Sequence, residues 1–287
     1  MVDKFILGTV HFGLDYGINN DVGKISEDDA FRILMISYQN GIRTLDTAGN
    51  YGNSEKIIGR FIEKNPEFVW KVISKLKLNA ENDFESALEM SLSNLNVECL
   101  ESLMFHSFSD YIKFKDHLQF FNQRFKGKKY KKLGVSLYTN EEIGVVISDP
   151  NIDLIQVPFN LLDNENQRGD VLLKAKNIGK EIHVRSIFLQ GLVFMNEAKV
   201  PFKLAQLNRY VRNLQLLCKE NEFSMLQLAI QYPLTKGYID QVLFGVDSVA
   251  QLKENFKCIE KRIPENIIRF VDNISVKEKE LLNPSKW

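Results

Sequence analysis

Eight short apolar runs recur along the chain, each followed by a stretch with a helical period, and this alternation constrains the fold more than any other feature. The runs are FILGTV at 5–10, IRTLDT at 42–47, VWKVISKL at 69–76, SLMFHSF at 102–108, KLGVSL at 132–137, DLIQVPF at 153–159, EIHVRSIF at 181–188 and QVLFGV at 241–246. Runs this apolar read as strands of a parallel sheet, buried on both faces. Between them, residues 26–41, 53–65, 83–97, 139–150, 164–180 and 249–263 have amphipathic spacing, several opened by Ser, Asn or Thr and closed by Gly or Pro. The longest connection, from run seven to run eight, holds two such stretches, LNRYVRNLQLLCKENE and SMLQLAIQYPLT. Strands alternating with helices imply a parallel sheet with helices outside it, and eight units are the number that closes a (β/α)8 barrel. An open doubly wound sheet is the rival, but the first βα turn reads GTVHFGLDYG and lacks the G-x-G-x-x-G phosphate loop. No Gly/Ser linker interrupts residues 1–287. The expectation is therefore one α/β domain, a (β/α)8 TIM barrel, with the segment from 264 onward packed outside as extra C-terminal helices.

Composition narrows the classes of partner. The 37 basic and 37 acidic side chains cancel, so no global field draws the chain to nucleic acid or to an acidic membrane. The one dense basic segment, RFKGKKYKK at 124–132, reads as a solvated helix end and loop. The three cysteines, Cys99, Cys218 and Cys258, are far apart and form no C-x-x-C pair, as expected for a reduced, cytoplasmic protein. The first residues, MVDKFILGTVHFG, read as a strand and not as a secretion signal, and no apolar run approaches the ~20 residues of a membrane span. No H-E-x-x-H, EF-hand or Walker pattern is present, so no metal site is expected.

In a barrel of this kind, chemistry belongs at the C-terminal ends of the strands. Run two ends in LDTAGNYGNSE, with Asp46 at the strand end and Tyr51 in the loop; run three ends with Lys75 and run four with His106. A carboxylate, a phenol, an ammonium and an imidazole thus meet on one rim. A free tyrosine is a poor proton donor at neutral pH, but an ammonium beside it stabilises the phenolate, and a carboxylate holds that ammonium charged. An imidazole can orient a substrate carbonyl. The set suits protonating an oxygen while hydride reaches the adjoining carbon.

The segment LDTAGNYGNSE resembles the aldo-keto reductase signature D-T-A-x-x-Y-G-x-S-E. The resemblance runs over essentially the whole chain, through VISKLK, LMFHSF, GVS at 134–136, IQVPFN at 155–160 and GVDSVAQLKEN at 245–255. It implies a (β/α)8 barrel that moves hydride between NAD(P)H and a carbonyl or alcohol carbon, with Asp46, Tyr51, Lys75 and His106 as the catalytic tetrad and Tyr51 as proton donor. It also implies that Ser136 and Gln156 hold the nicotinamide carboxamide, although Leu137 stands where Asn is usual. Arg185 takes the place of the aromatic residue that stacks on the nicotinamide, and Ser186 and Gly191 match the loop beneath the pyrophosphate. Gln251, Glu254 and Asn255 match positions at the adenosine end. The Lys and Arg that bind a 2′-phosphate are missing there and Asp247 is present, so NAD and NADP are both left open.

His11 and Phe12 end the first run and are expected to face the mouth, with Tyr16 and Tyr138 as weaker pocket candidates. Short external loops, above all after run four, fit an open pocket and a polar small-molecule carbonyl substrate such as a sugar. Two other readings share this barrel: a regulatory or cofactor-sensing subunit without turnover, and an internal-redox epimerase. The sequence leaves the substrate and the oligomeric state open.

Overall fold

The computed structural model describes residues 2–20, 23–78, 83–260 and 262–287. Eight strands follow in chain order around a closed barrel: β1 Phe5–Gly8, β2 Thr44–Ala48, β3 Lys71–Lys75, β4 Leu100–Phe105, β5 Tyr130–Ser136, β6 Leu154–Pro158, β7 Glu181–Arg185 and β8 Gln241–Gly245. All eight neighbouring pairs are parallel, and β1 meets β8 with Ile6 opposite Leu243 and Gly8 opposite Gly245. That last pairing excludes the open sheet.

Side chains alternate across a strand, and here the alternation sorts the apolar residues into two clusters. Phe5, Leu7, Leu45, Val72, Leu103, Val135, Ile155, Val184 and Phe244 belong to the large core shared with the helices. Ile6, Ile73, Met104 and Leu154, with Leu243 against them, form a separate small cluster that fills the barrel. Two residues beyond Ile73, Met104 and Leu154, the same inward parity delivers Lys75, His106 and Gln156 to the C-terminal rim. Asp46, level with Gly8 on β1 and Ile73 on β3, joins them.

Polar caps start the helices directly after the strands. Ser26 accepts the Asp29 N–H at the head of helix Glu27–Gln39, Asp83 accepts from Ser86 at Phe84–Leu95, and Ser248 accepts from Gln251 at Val249–Ile259. Thr139 and Glu142 form a reciprocal capping box on Asn140–Val146. The β7–β8 connection holds helices Asn208–Glu220 and Met225–Leu234 after a run of 3-10 turns. The tail packs outside as helix Glu265–Asp272 and short turns, pinned by Asn164, whose Nδ2 donates to the carbonyls of Val271 (2.6 Å) and Ile274 (3.0 Å). Among the described residues no helix is long and apolar enough to cross a membrane.

Four sequence expectations are corrected. The first run stops as a strand at Gly8, and Val10–Gly13 forms a helical turn. Successive side chains on a helix diverge by about 100°, so His11 faces the mouth while Phe12 turns away into the core, 1% exposed. Phe12 therefore does not line the pocket. The basic segment 124–132 is not a solvated loop throughout: Tyr130 is fully buried and opens β5. Five of its six charges meet acids, Arg124 on Glu85, Lys126 on Asp153, Lys129 on Glu89, Lys131 on Glu101 and Lys132 on Glu181, and Lys128 is exposed. The β4–β5 connection, to which spacing assigned no helix, carries Phe108–Phe114 and Leu118–Phe125, broken by a 3-10 turn and packed through a cluster around Phe84, where the Phe121 ring stacks at 4.0 Å. The helix expected over 249–263 ends at Ile259, and Lys261 lies outside the described residues.

Two glycines set the height of Tyr51. A Cβ on Gly13 would lie 1.7 Å from the Tyr51 carbonyl oxygen, and one on Gly52 would lie 2.3 Å from the Gly13 carbonyl oxygen, at a φ of +55°. The turn after β1 and the loop after β2 therefore touch backbone to backbone. Gly13→Ala is expected to lower unfolding stability by about 3 kcal/mol or more, because the obstacle is backbone that cannot rotate away. Gly144→Ala, in helix Asn140–Val146 with nothing within 4 Å of its Cβ, is expected to raise it by about 0.5–1 kcal/mol. Denaturant unfolding of both variants checks the opposite signs.

Candidate active site

A cavity of ≈ 490 Å³ opens at the C-terminal rim. Asp46, Tyr51, Lys75 and His106 all line it, although β2, β3 and β4 deliver them from three separate stretches of chain. The Lys75 ammonium donates to Asp46 Oδ1, with both side chains almost wholly buried. Gln156 Nε2, coming from β6 on the far side of the barrel, donates to Asp46 Oδ2 at 2.8 Å. One carboxylate thus ties β2, β3 and β6 together. Tyr51 stands over the pair, with Lys75 Nζ 5.5 Å from its ring centre, and meets the His106 ring edge to face at 5.6 Å.

Burial sets the protonation of this group. Burial and then the Asp46 charge push the Tyr51 phenol well above its ordinary range, with Arg185 pulling the other way. The lowering expected from Lys75 is not what dominates. The ammonium is neutralised by Asp46, which itself repels a phenolate, and a buried anion is costly. Burial also pushes Lys75 below its ordinary value, against the pull of Asp46. His106 is driven by burial, and then by the charges of Lys75 and Arg185, from 6.5 down to about 3. The imidazole is neutral, and its buried Nδ1 has no partner.

Ser136 and Gln156 lie side by side on β5 and β6, and Gln156 Oε1 is buried without a partner. Arg185 ends β7. Its guanidinium lies over the Tyr138 ring, 4.2 Å from the centre, and reaches Ser186 Oγ and the Leu137 carbonyl, each at 3.3 Å. Beyond it the chain turns through left-handed conformations at Ser186, Leu189, Gln190 and Gly191. A Cβ on Gly191 would meet Asn19 Cβ at 2.6 Å, so the strap around 16–20 rests on this loop. Asp247 does not stand free at the opposite end: His11 Nε2 lies 2.9 Å from its Oδ1, and Gln251 Nε2 donates to its Oδ2 at 3.2 Å. Gln251, Glu254 and Asn255 line the same end of the cavity, Asn255 being buried. Tyr16, Tyr138, Asn19 and Gln190 also line it. The sequence marked the two tyrosines weakly and the other two not at all, since an Asn or Gln in a loop has no spacing that separates a pocket lining from a turn.

The family model described as "Aldo/keto reductase family" matches residues 4–276. The chain belongs to the aldo/keto reductase family. It is accordingly a nicotinamide-dependent oxidoreductase acting between carbonyl and alcohol. D-threo-aldose 1-dehydrogenase from a Pseudomonas species is 24% identical over 302 residues, covering 88% of this chain and 91% of that protein. The NADP(+) aldo-keto reductase yakc of Schizosaccharomyces pombe is 22% identical, covering 88% of this chain and 84% of its own. In fold, the chain superposes on an aldo-keto reductase from Bacillus halodurans in its holo form with a TM-score of 0.73, at 18% identity, over 96% of this chain and 94% of that one.

Half of the aldo/keto reductase signature in this chain is scaffolding. Thr47 Oγ1 donates to Ser54 Oγ at 3.0 Å, Ser54 Oγ reaches the Thr9 carbonyl at 2.9 Å, and Thr9 Oγ1 donates to the Asp46 carbonyl at 2.9 Å. Glu55 accepts from Ser74 Oγ at 2.7 Å and from Asn94 Nδ2 at 3.2 Å, joining its helix to β3 and to Phe84–Leu95. These residues hold the loop that carries Tyr51; of them only Thr9 lines the cavity, and Thr47, Ser54 and Glu55 do not.

The depressed His106 pKa fixes a pH dependence. The folded imidazole resists protonation down to about 3, whereas the unfolded chain takes up its proton near 6.5. Between those values the unfolded state binds more protons, so stability contributed by the neutral ring is full above 6.5 and is lost as pH falls toward 3. His106→Gln is expected to shift the acid-unfolding midpoint to lower pH. An NMR titration is expected to show the His106 ring unprotonated at pH 5.

Proposed function

We propose that this aldo/keto reductase interconverts an aldehyde or ketone and an alcohol with NAD(P)(H), that Tyr51 is the general acid, and that the substrate is a sugar or sugar derivative. The observation that carries the reading is the buried Asp46–Lys75 pair directly beneath a protonated Tyr51 and beside a neutral His106.

Each side chain has a part. The Tyr51 hydroxyl gives its proton to the carbonyl oxygen as negative charge builds there. Its raised pKa keeps that proton in place through neutral pH, and the charge left on the phenolate is met by Lys75. Asp46 keeps Lys75 charged and aimed, and Gln156 holds the second carboxylate oxygen. His106, neutral and able to donate one hydrogen bond, orients the substrate oxygen. The nicotinamide, when bound, supplies the hydride. The residues fit it: Gln156 Oε1, buried and without a partner, is an acceptor for a primary amide, with the Ser136 hydroxyl alongside. Ser186 and Gly191 line the cavity in left-handed turns, the kind of backbone that can cradle a pyrophosphate. In this reading Arg185 serves the nicotinamide end, and Asp247, Gln251, Glu254 and Asn255, which line the same cavity, serve the adenosine end. Asp247 is already engaged by His11 and Gln251, so it can take a ribose hydroxyl only by sharing. This supports use of both NAD and NADP.

A sugar substrate is supported by the polar rim of His11, Tyr16, Tyr51, His106 and Tyr138, by the two-residue turn that carries His106 and Ser107 between β4 and helix Phe108–Phe114, and by the aldose-directed activity for which the Pseudomonas relative is named.

Tyr51→Phe is expected to lower turnover by about 100- to 10,000-fold while leaving NAD(P)H binding intact, measured by single-turnover rates and cofactor fluorescence. Near wild-type chemistry in this variant sinks the assignment. For the reductive direction, kcat is expected to hold from neutral pH to beyond pH ~10, because the raised phenol keeps its proton there; Lys75→Met lowers kcat across that range. Titration with both reduced nucleotides is expected to give affinities within about 100-fold of each other, or ~2.7 kcal/mol. A larger gap in favour of NADPH rules out Asp247 at the ribose.

A further inference from the structure

The interior of the barrel carries two lysine–carboxylate triads, one above the other. The upper one is Lys75, Asp46 and Gln156 at the rim. The lower one is Lys132 from β5 with Glu181 and His183 from β7. Lys132 Nζ donates to Glu181 Oε2 at 2.5 Å, and His183 Nε2 lies 2.7 Å from Glu181 Oε1. Burial would raise the Glu181 carboxyl, but the hydrogen bonds from His183 and Lys132 hold it down at about 2. An ionised carboxylate only accepts, so His183 Nε2 is the donor. Glu181 and Gln241 also line a cavity of ≈ 380 Å³ at the N-terminal ends of β7 and β8, which brings solvent to the foot of the lower triad.

Each triad has one unspent atom. Gln156 Oε1 and His183 Nδ1 are both buried without a partner among the described residues, in residues 0% and 1% exposed. The two residues are opposite each other in the β6–β7 register, on the same side of the sheet. In a neutral ring that donates through Nε2, Nδ1 accepts, and an amide oxygen accepts as well. Two acceptors cannot bond each other; a water between them gives one hydrogen to each. Buried water is held where polar groups converge in this way, and a buried acceptor left bare is costly.

We propose that His183 is a positioning residue for the reaction: one water, held between its Nδ1 and Gln156 Oε1, joins the two triads and fixes the amide that orients Asp46. The last torsion of a glutamine is soft, and the Asp46 contact alone leaves the amide able to rock about Nε2. A second anchor on Oε1 locks its plane, and with it Asp46 Oδ2 and the Lys75 ammonium beneath Tyr51. The amide oxygen has two lone pairs, so one remains for a nicotinamide carboxamide. This rests on the catalytic reading above and extends it to the floor of the barrel.

Two isosteres divide His183 into its halves. His183→Asn keeps an acceptor near the Nδ1 place and lets go of Glu181; His183→Gln keeps a donor to Glu181 and loses the Nδ1 acceptor. With glyceraldehyde at saturating NADPH, the single-turnover rate is expected to fall about tenfold in His183→Gln, with KM little changed, and to stay within about threefold of wild type in His183→Asn. Denaturant unfolding is expected to rank them the other way, because Glu181 loses its partner only in the Asn variant. A purely structural histidine ranks rate and stability alike, and that result overturns the proposal, as does a wild-type rate in His183→Gln. A second arm needs no turnover: high-resolution crystal structures of wild type and His183→Gln. Wild type is expected to show one ordered water in hydrogen-bond reach of both atoms, and the variant to lose it and show a shifted or split Gln156 amide. If wild type reduces no aldehyde yet both structural results appear, the catalytic reading fails and the positioning of Gln156 stands. A direct His183–Gln156 hydrogen bond, or no water between them, overturns the proposal even in an active enzyme.

Discussion

Closure of the barrel is the constraint on which the rest depends. Once β1 pairs with β8, each strand has one face toward the helices and one toward an interior too narrow for anything but side chains. Apolar residues at the inward positions fill that interior: Ile6, Ile73, Met104, Leu154 and Leu243. The next inward position on each strand sits above this plug, where water and ligand can enter. Asp46, Lys75, His106 and Gln156 occupy such positions, so the chemistry is carried on rigid strands and stands on a packed floor. Shifting any one of these strands by a residue would send its polar side chain into the helix-facing core.

The Asp46–Lys75 pair shows what that placement costs. Two charges withdrawn from water recover little stability from each other, and a pair of apolar residues of the same volume would serve the fold as well or better. The pair holds because Gln156 satisfies the second carboxylate oxygen from across the barrel. Removing any one of the three leaves a buried polar group without its partner, so the arrangement is an all-or-none unit whose value lies at Tyr51.

Tyr51 itself depends on backbone more than on side chains. Its height is set where Gly13 and Gly52 touch, and its loop is braced by Thr47, Ser54 and Glu55. The same burial that raises its pKa also holds His106 neutral, so one desolvated corner keeps a proton on the phenol and keeps one off the imidazole.

Sequence alone determined what is periodic or local. Eight apolar runs separated by amphipathic stretches specify eight strands and their helices, because burial on two faces and on one stripe leave different spacings. The signature around Asp46 and Tyr51, and the strand-end positions of Lys75 and His106, were legible because strand parity projects directly to the rim. What is non-local was decided only by the tertiary structure. Phe12 left the pocket because a helical turn replaced the end of a strand, and five of the six charges in residues 124–132 were paired because acids distant in sequence came within reach. Gln156 found Asp46 across 110 positions of chain, and Asp247 met His11. Arg185 was visible as a departure from the usual aromatic residue, but that its guanidinium lies over Tyr138 is a property of three-dimensional neighbourhood. Charge balance in a pocket is settled by which strands the closed barrel brings together, and one-dimensional spacing carries no record of it.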